Sequence, residues 1–408
     1  MPTYSGIFNT DQFTTDHEKK SFASMITRLM PNGTAPLFAL TSKLQDKIAV
    51  QTEHGFFTKT MVFPSFNLTA DILAGATTFA VVDTSTLVPG QIHRFEETGE
   101  NIIINAVNSA TSIDVGRSIG SVAASAITIA SAISEAYQVG NAFEESSLRP
   151  TALSITPVRI TNLTQTFRNT WALSGSAQAT QVIAGDTNVA ENKRDAAAFH
   201  AGDIEKALFF GQKSQGTRNG QPFRTMDGLH NIVSDLTYYP PSYSVANVSV
   251  AGATTNYDQL LGFLDPVFDQ STDPKIANER VLFCGGSALN VINGIGRLHG
   301  QYEIVDGQTS FGLQFRSFKI PRGTFHMIEH PLFNTNPYWA KMAMAVDLST
   351  FALAYLGNRK TQDRDFNING TAVDNGIDAV GGTITTEVTT EIRNPPANAI
   401  ITELTAAA

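Results

Sequence analysis

The sequence predicts an α+β protein with a small all-β domain set into it. Three features carry that expectation. Residues 188–211 have a helical signature: Asn188 suits an N-cap, Glu191 completes a capping box, and Gly211 stands where a C′ glycine belongs. Ala197, Ala201, Ile204 and Leu208 fall on one face of that helix. Residues 67–138 instead hold short runs of β-branched and aromatic residues bounded by Gly, Pro, Asn or Ser. Near the C-terminus, Ile384, Thr386, Val388, Thr390 and Ile392 alternate with Thr and Glu, the pattern of a half-buried strand.

In chain order, residues 1–43 read as an arm, with one short helix expected within 15–29 and stopped at Met30, Pro31, Asn32 and Gly33. Residues 44–66 and 139–174 read as the two legs of one long hairpin. The first carries Phe56, Phe57 and Phe63, the second Ile160, Leu163, Phe167, Trp171 and Leu173. The domain between them, 67–138, has expected strands at 77–82, 91–95, 101–107 and 111–115, with a tight turn at 97–100. Its tail, 118–134, fits loop, strand or short helix. The long helix at 188–211 spans about 33 Å. Ala196, Ala197, Ala198 and Ala201 allow another element to lie close against it.

Beyond it, 257–268 reads as a helix capped by Thr255, with Asp258 at the box position and Pro266 kinking or ending it. Residues 280–284 read as a buried strand that turns at Gly285 and Gly286 into a helix reaching Ile295. Further strands are expected at 315–320, 324–329, 342–347, 351–356 and 383–392.

Composition narrows the class. The chain has 408 residues, 42% hydrophobic and only 16% charged, unlike a disordered chain. Glycine and proline recur along its whole length, unlike a coiled coil. A net charge of −9 argues against a dedicated nucleic-acid binder. Cys284 is the single cysteine, so no intrachain disulfide forms, which fits a reducing cytoplasm. Residues 1–20 are polar and lack a signal-peptide core, and 120–134 is too short and serine-broken to span a membrane. No lysine lies between Lys59 and Lys193, and residues 61–192 hold 11 acids against 5 arginines.

Several motifs tempt a chemical reading. His326 to His330 match the H-x-x-E-H signature of inverted zinc peptidases. Gly323 before and Pro331 after it favour a strand, on which the two histidines stand about 13 Å apart. That is too far to share one zinc at about 2 Å. Asp365, Asn367, Asn369 and Gly370 follow the first half of a calcium loop, but position 12 is Gly376, and an Asx-rich turn is the simpler reading. Gly294, Gly296 and Gly300 lack the dinucleotide spacing. No Lys-Ser/Thr pair follows Gly285 and Gly286, which excludes a phosphate loop. Glu144 and Glu145 point to opposite faces of an extended chain, and Cys284 sits in an apolar strand as a structural thiol. No catalytic residue, cofactor site or metal site is assigned, and the expectation is a structural protein rather than an enzyme.

The order of elements resembles tailed-bacteriophage major capsid proteins with the Hong Kong ninety-seven fold, in the branch with a β-domain inserted in the extended loop. The stretches that carry the resemblance are Asn162 to Arg168 before Ser174 and Gly175, the helix at 188–211, Phe263 to Phe268 before a strand and a Gly-Gly turn, and Glu387 to Asn394. The resemblance implies an N-terminal arm at 1–43 and an extended loop at 44–66 and 139–174 carrying the insertion at 67–138. It implies a peripheral domain at 175–211 and 346–408 with the spine helix, and an axial domain at 212–345. It further implies a homo-oligomer of pentamers and hexamers in a virion capsid assembled in the host cytoplasm. Partners would be scaffold, portal or decoration proteins and weak, non-specific contact with packaged DNA, with no membrane. The arm is too short for a cleaved scaffolding helix, and no residue matches a lysine–asparagine crosslink. A β-rich adhesin or carbohydrate-binding protein, and a metallopeptidase resting on His326 and His330, are the alternatives.

Overall fold

The computed structural model describes residues 35–41, 44, 46–59, 63–129, 135–180, 188–239, 245–252, 255–269, 278–299, 309–310, 313–314, 316–365 and 378–405. The helix expected within 15–29 lies outside the described residues. Two compact units are present, one of residues 57–158 and one built from the chain on either side.

The 57–158 unit is a six-stranded antiparallel sheet. Its strand order is Ser65–Asn67, Glu135–Asn141, Gln91–Phe95, Asn101–Ser109, Ser112–Gly116 and Thr78–Ala80. The four strands expected inside it all form. The sheet also takes in Ser65–Asn67 and Glu135–Asn141, so it is wider than 67–138. The reason is the apolar face: Phe66 pairs with Ala136, and the Phe66 ring meets Phe95 edge-on at 5.9 Å. Phe79, Ile102, Ile104, Ile113 and Val115 complete this core. The described part of the serine- and alanine-rich tail, 118–129, is loop, held by a bridge between Ile127 and Ile72.

Among the described residues the larger unit holds two large sheets, besides short two-stranded ribbons. In the first, Lys47–Ala49, Phe351–Leu356, Ala379–Ile392 and Gln165–Ser174 lie side by side, and Gln362–Asp365 also pairs with Ala379–Ile392. The second runs Val248–Val250, Ala399–Thr402, Ala343–Val346, Glu279–Cys284, Gly323–Glu329, Arg316–Ile320. Glu279–Cys284 is apolar on both faces because a core covers each. Val281 and Phe283 face Ile204, Leu208 and Phe209 of the long helix. Leu282 and Cys284 face Leu260 and Leu264 of the helix Tyr257–Leu264 and Ala288 and Ile292 of the helix Gly286–His299. The C-terminal strand Ala399–Thr402 thus joins the sheet that holds Glu279–Cys284 and Ala343–Val346.

Four local expectations need correction. Among the described residues the legs pair as strands only at Glu53–Thr58 and Val158–Leu163. Gln165–Ser174 turns away to pair with Ala379–Ile392, because Phe167 and Trp171 need a core. Trp171 is buried over Gly382, where a Cβ would come within 2.7 Å of its indole. Second, the long helix Asn188–Phe210 buries Ala196, His200, Ile204 and Leu208, while Ala197 is exposed. Ile204 and Leu208 face inward as expected, and the buried face also takes in His200 and Glu205, polar groups that the apolar spacing does not mark.

Third, strand Ala379–Ile392 is buried on both faces from 386 onward, not on one. Fourth, Asn256 and Gln259 form the capping box expected of Thr255 and Asp258, and the helix passes into a 3-10 turn at Asp265 and Pro266. At the end of the long helix, Gly211 is required by crowding rather than by a left-handed turn. Its φ is not positive, and a Cβ there would lie 2.6 Å from the Met226 carbonyl oxygen.

Candidate functional site

The motifs that suggested chemistry are spent on structure. His326 lies on Gly323–Glu329, with Nδ1 3.3 Å from Ser317 Oγ and Nε2 3.7 Å from Glu279. His330 is fully buried, stacks on Phe333 and meets Glu205 through Nε2 at 2.8 Å. The two imidazoles serve different partners, and among the described residues no cluster could hold a metal ion. The amide of Gly286 donates to Asn334 Oδ1 at 2.7 Å, so the Gly-Gly turn offers no free amide there. Burial, helped by Glu329, pushes the Cys284 thiol well above its usual range. Asp365 ends a strand, and the remainder of the calcium-like turn lies outside the described residues.

The functional geometry lies instead in buried polar ties between distant segments. Glu205, on the long helix, accepts the backbone N–H of Leu37 at 2.7 Å and of Phe38 at 2.8 Å, one on each oxygen. It thereby seats the short helix Pro36–Thr41, which is too brief to be stable alone. Its Oε1 also bonds His330, joining the arm, the long helix and the second sheet at one carboxylate. A turn N-terminal to it, His200 sets Nδ1 2.7 Å from Asn169 Oδ1 and Nε2 2.8 Å from Thr386 Oγ1. Burial lowers its pKa, favouring the neutral ring.

A second tie gathers the base of the hairpin. Asn162 Nδ2 donates to Thr390 Oγ1 at 2.7 Å and to the Asp227 carbonyl at 3.0 Å, while its Oδ1 accepts the Asp227 amide. Glu387 and Glu391, on the same strand as Thr390, are buried among basic side chains. No local pattern announces these residues. The only trace is that two glutamates occupy one face of a strand otherwise lined with threonine.

The outer part of the hairpin is different. Phe57 is 69% and Phe63 78% exposed, and Leu148 is 92% exposed. Among the described residues no helix is long and apolar enough to cross a membrane.

Two large sheets packed about one long helix, with a separate β unit formed by residues 57–158, define the Hong Kong ninety-seven fold. The same fold is seen over 98% of this chain and 98% of a chain from the capsid of the native GTA particle, at 10% identity and a TM-score of 0.50. A chain from Mycobacterium phage Cain aligns over 96% of this one and 97% of its own length, at 9% identity and a TM-score of 0.43.

The particular family follows from sequence: the chain belongs to the SU10 major capsid protein family, whose profile matches residues 7–405. The major capsid protein of Pseudomonas phage PaMx41 is 38% identical over 413 residues, covering 99% of this chain and 97% of that one. The chain is a phage major capsid protein, a structural component of the virion capsid. Family membership sets aside the adhesin and metallopeptidase alternatives.

Proposed function

We propose that copies of this chain assemble in the host cytoplasm as rings of five and six, which close into the icosahedral shell around the genome. The carrying observation is the exposed aromatic surface of Phe57 and Phe63, which one copy leaves open to water. In this reading residues 1–43 reach over neighbours, 44–66 and 139–174 form the extended loop, and 67–138 is its insertion. Residues 175–211 and 346–408 are peripheral, and 212–345 are axial. The role is architectural, without catalysis. Scaffold, portal and decoration proteins are the expected partners. Packaged DNA would meet the shell weakly and without sequence preference, because the chain carries net negative charge.

The test is to express the chain and examine it by sedimentation and negative-stain microscopy. Megadalton closed particles are expected. A monomer at every concentration and salt would overturn the reading. DNA affinity should fall steeply with salt, and a salt-resistant, sequence-specific complex would contradict that part.

A further inference from the structure

The paired stem strands Glu53–Thr58 and Val158–Leu163 are poorly held by packing. No residue of the first is buried, and the outer end of the second is exposed. A lone two-stranded ribbon is marginal in water. What holds its base is a set of bonds to two carboxylates on Ala379–Ile392. Glu391 accepts from Lys47 Nζ at 2.5 Å and Arg393 Nε at 2.6 Å through Oε1, and meets His54 Nε2 at 2.8 Å through Oε2. Glu387 accepts from Thr164 Oγ1 at 3.1 Å and Arg359 Nε at 2.7 Å, with Arg224 Nη2 at 3.8 Å. The Thr164 amide donates to the Thr52 carbonyl at 2.8 Å, closing the ribbon at this point.

Both glutamates are buried. A buried ion pair adds little net stability but fixes geometry, and losing one partner leaves the other charges uncompensated. Here the partners belong to the segment entering the stem (Lys47), the outgoing strand (His54) and the loop after Phe351–Leu356 (Arg359). Thr164, just past the returning strand, is tied to the same pair. We propose that Glu391 and Glu387 form a clasp that fixes the base of the stem, at Lys47, His54 and Thr164, to the strand Ala379–Ile392. They are positioning residues for shell assembly, Glu391 for the outgoing strand and Glu387 for the returning one. The inference rests on the stem meeting neighbouring copies, as proposed above.

The test compares the full-length chain with Glu391→Gln, Glu387→Gln, Glu391→Asp, His54→Gln and Thr164→Val. Circular dichroism reports folding, trypsin cleavage of dissociated subunits at the exposed Lys59 and Arg159 reports the stem, and electron microscopy reports particle diameters. For Glu391→Gln, a near-native spectrum is expected, with stem cleavage faster by about tenfold, the effect of one lost charge-assisted bond. Particles of mixed diameter or open sheets should replace uniform shells, and Glu391→Asp should restore part of the uniformity. Uniform shells of unchanged diameter with unchanged cleavage would overturn the proposal.

If the glutamate variants do not fold, Thr164→Val decides, since it removes one tie and leaves the carboxylate its other partners. Mixed diameters support the clasp, and uniform shells reject it. Should the parent chain build no shells at all, the assembly reading fails. The cleavage rates then still decide the clasp, and equal rates in parent and variants reject it.

Discussion

The 57–158 unit and the strand Ala379–Ile392 both bury charge, by opposite routes. In the 57–158 unit, Glu100 is satisfied by one nearby arginine. Arg117 donates from Nε and Nη2 to its two oxygens, both at 2.7 Å, and to the carbonyls of Leu73 and Ser125. Burial alone would raise the Glu100 pKa, and the Arg117 and amide bonds outweigh it, so the carboxyl titrates below its usual range. On Ala379–Ile392, Glu387 and Glu391 draw partners from residues as remote as Lys47 and Arg224. The first arrangement closes within a short stretch of chain and depends on little else. The second exists only when several distant segments have already docked. The insertion should therefore fold as an independent unit, while the body is cooperative and sensitive to any loss of docking.

The sharpest way to break that contrast is Arg117→Ala. It leaves Glu100 buried and unpaired, at a cost of about 3–5 kcal/mol. Hydrogen exchange should report loss of protection across 57–158 with the long helix still protected. Loss in both units together would mean the insertion is not independent.

Ala201→Pro makes the reciprocal test at about 3 kcal/mol or more, from a lost helix hydrogen bond and a clash with the Ala197 carbonyl. It lies one turn before Glu205, so the seating of Leu37 and Phe38 should suffer with the helix. Helical circular dichroism should be largely kept, protection of 57–158 unchanged, and closed shells lost. Normal shells at normal yield would show that the helix is not a continuous spine.

The smallest effect is set by pH. Burial pulls the pKa of His93 down to about 4, slightly opposed by a backbone bond at Ala136. The imidazole packs beside Phe66 and meets Gln91 Oε1 at 3.3 Å. The unfolded chain takes up a proton near pH 6.5 and the folded unit does not, so this contribution is complete above about pH 6.5 and is lost as pH falls toward 4. The loss is at most on the order of 3 kcal/mol. Denaturant unfolding monitored within 57–158 should show that slope, and His93→Gln should remove it. An unchanged slope would mean that His93 is open to solvent.

Much of the architecture was legible. The strands at Gln91–Phe95, Asn101–Ser109 and Phe351–Leu356 and the helix ending at Phe210 follow from alternation, turn residues and 3.6-residue spacing. The placement of His326 on the strand Gly323–Glu329 follows likewise, from Gly323 before it and Pro331 after it. What failed were burial assignments at polar positions. Glu387 and Glu391 fall on the face read as solvent-facing, no pattern singles out His200 or Glu205, and Trp171 reads only as part of a hairpin leg. Each is buried because a partner from far along the chain satisfies or covers it.

The amino-acid sequence alone determined which segments become helix or strand and where a second β unit interrupts the body. Those properties depend on neighbours a few residues away, which any local window contains. Tertiary structure alone decided that His200 and Glu205 of Asn188–Phe210 turn inward, that Gln165–Ser174 leaves the hairpin for Ala379–Ile392, and that Lys47, His54 and Thr164 converge on two glutamates. The cost of burying a carboxylate is set by whether cations reach it, and here they arrive from more than 300 residues away, as Lys47 does to Glu391.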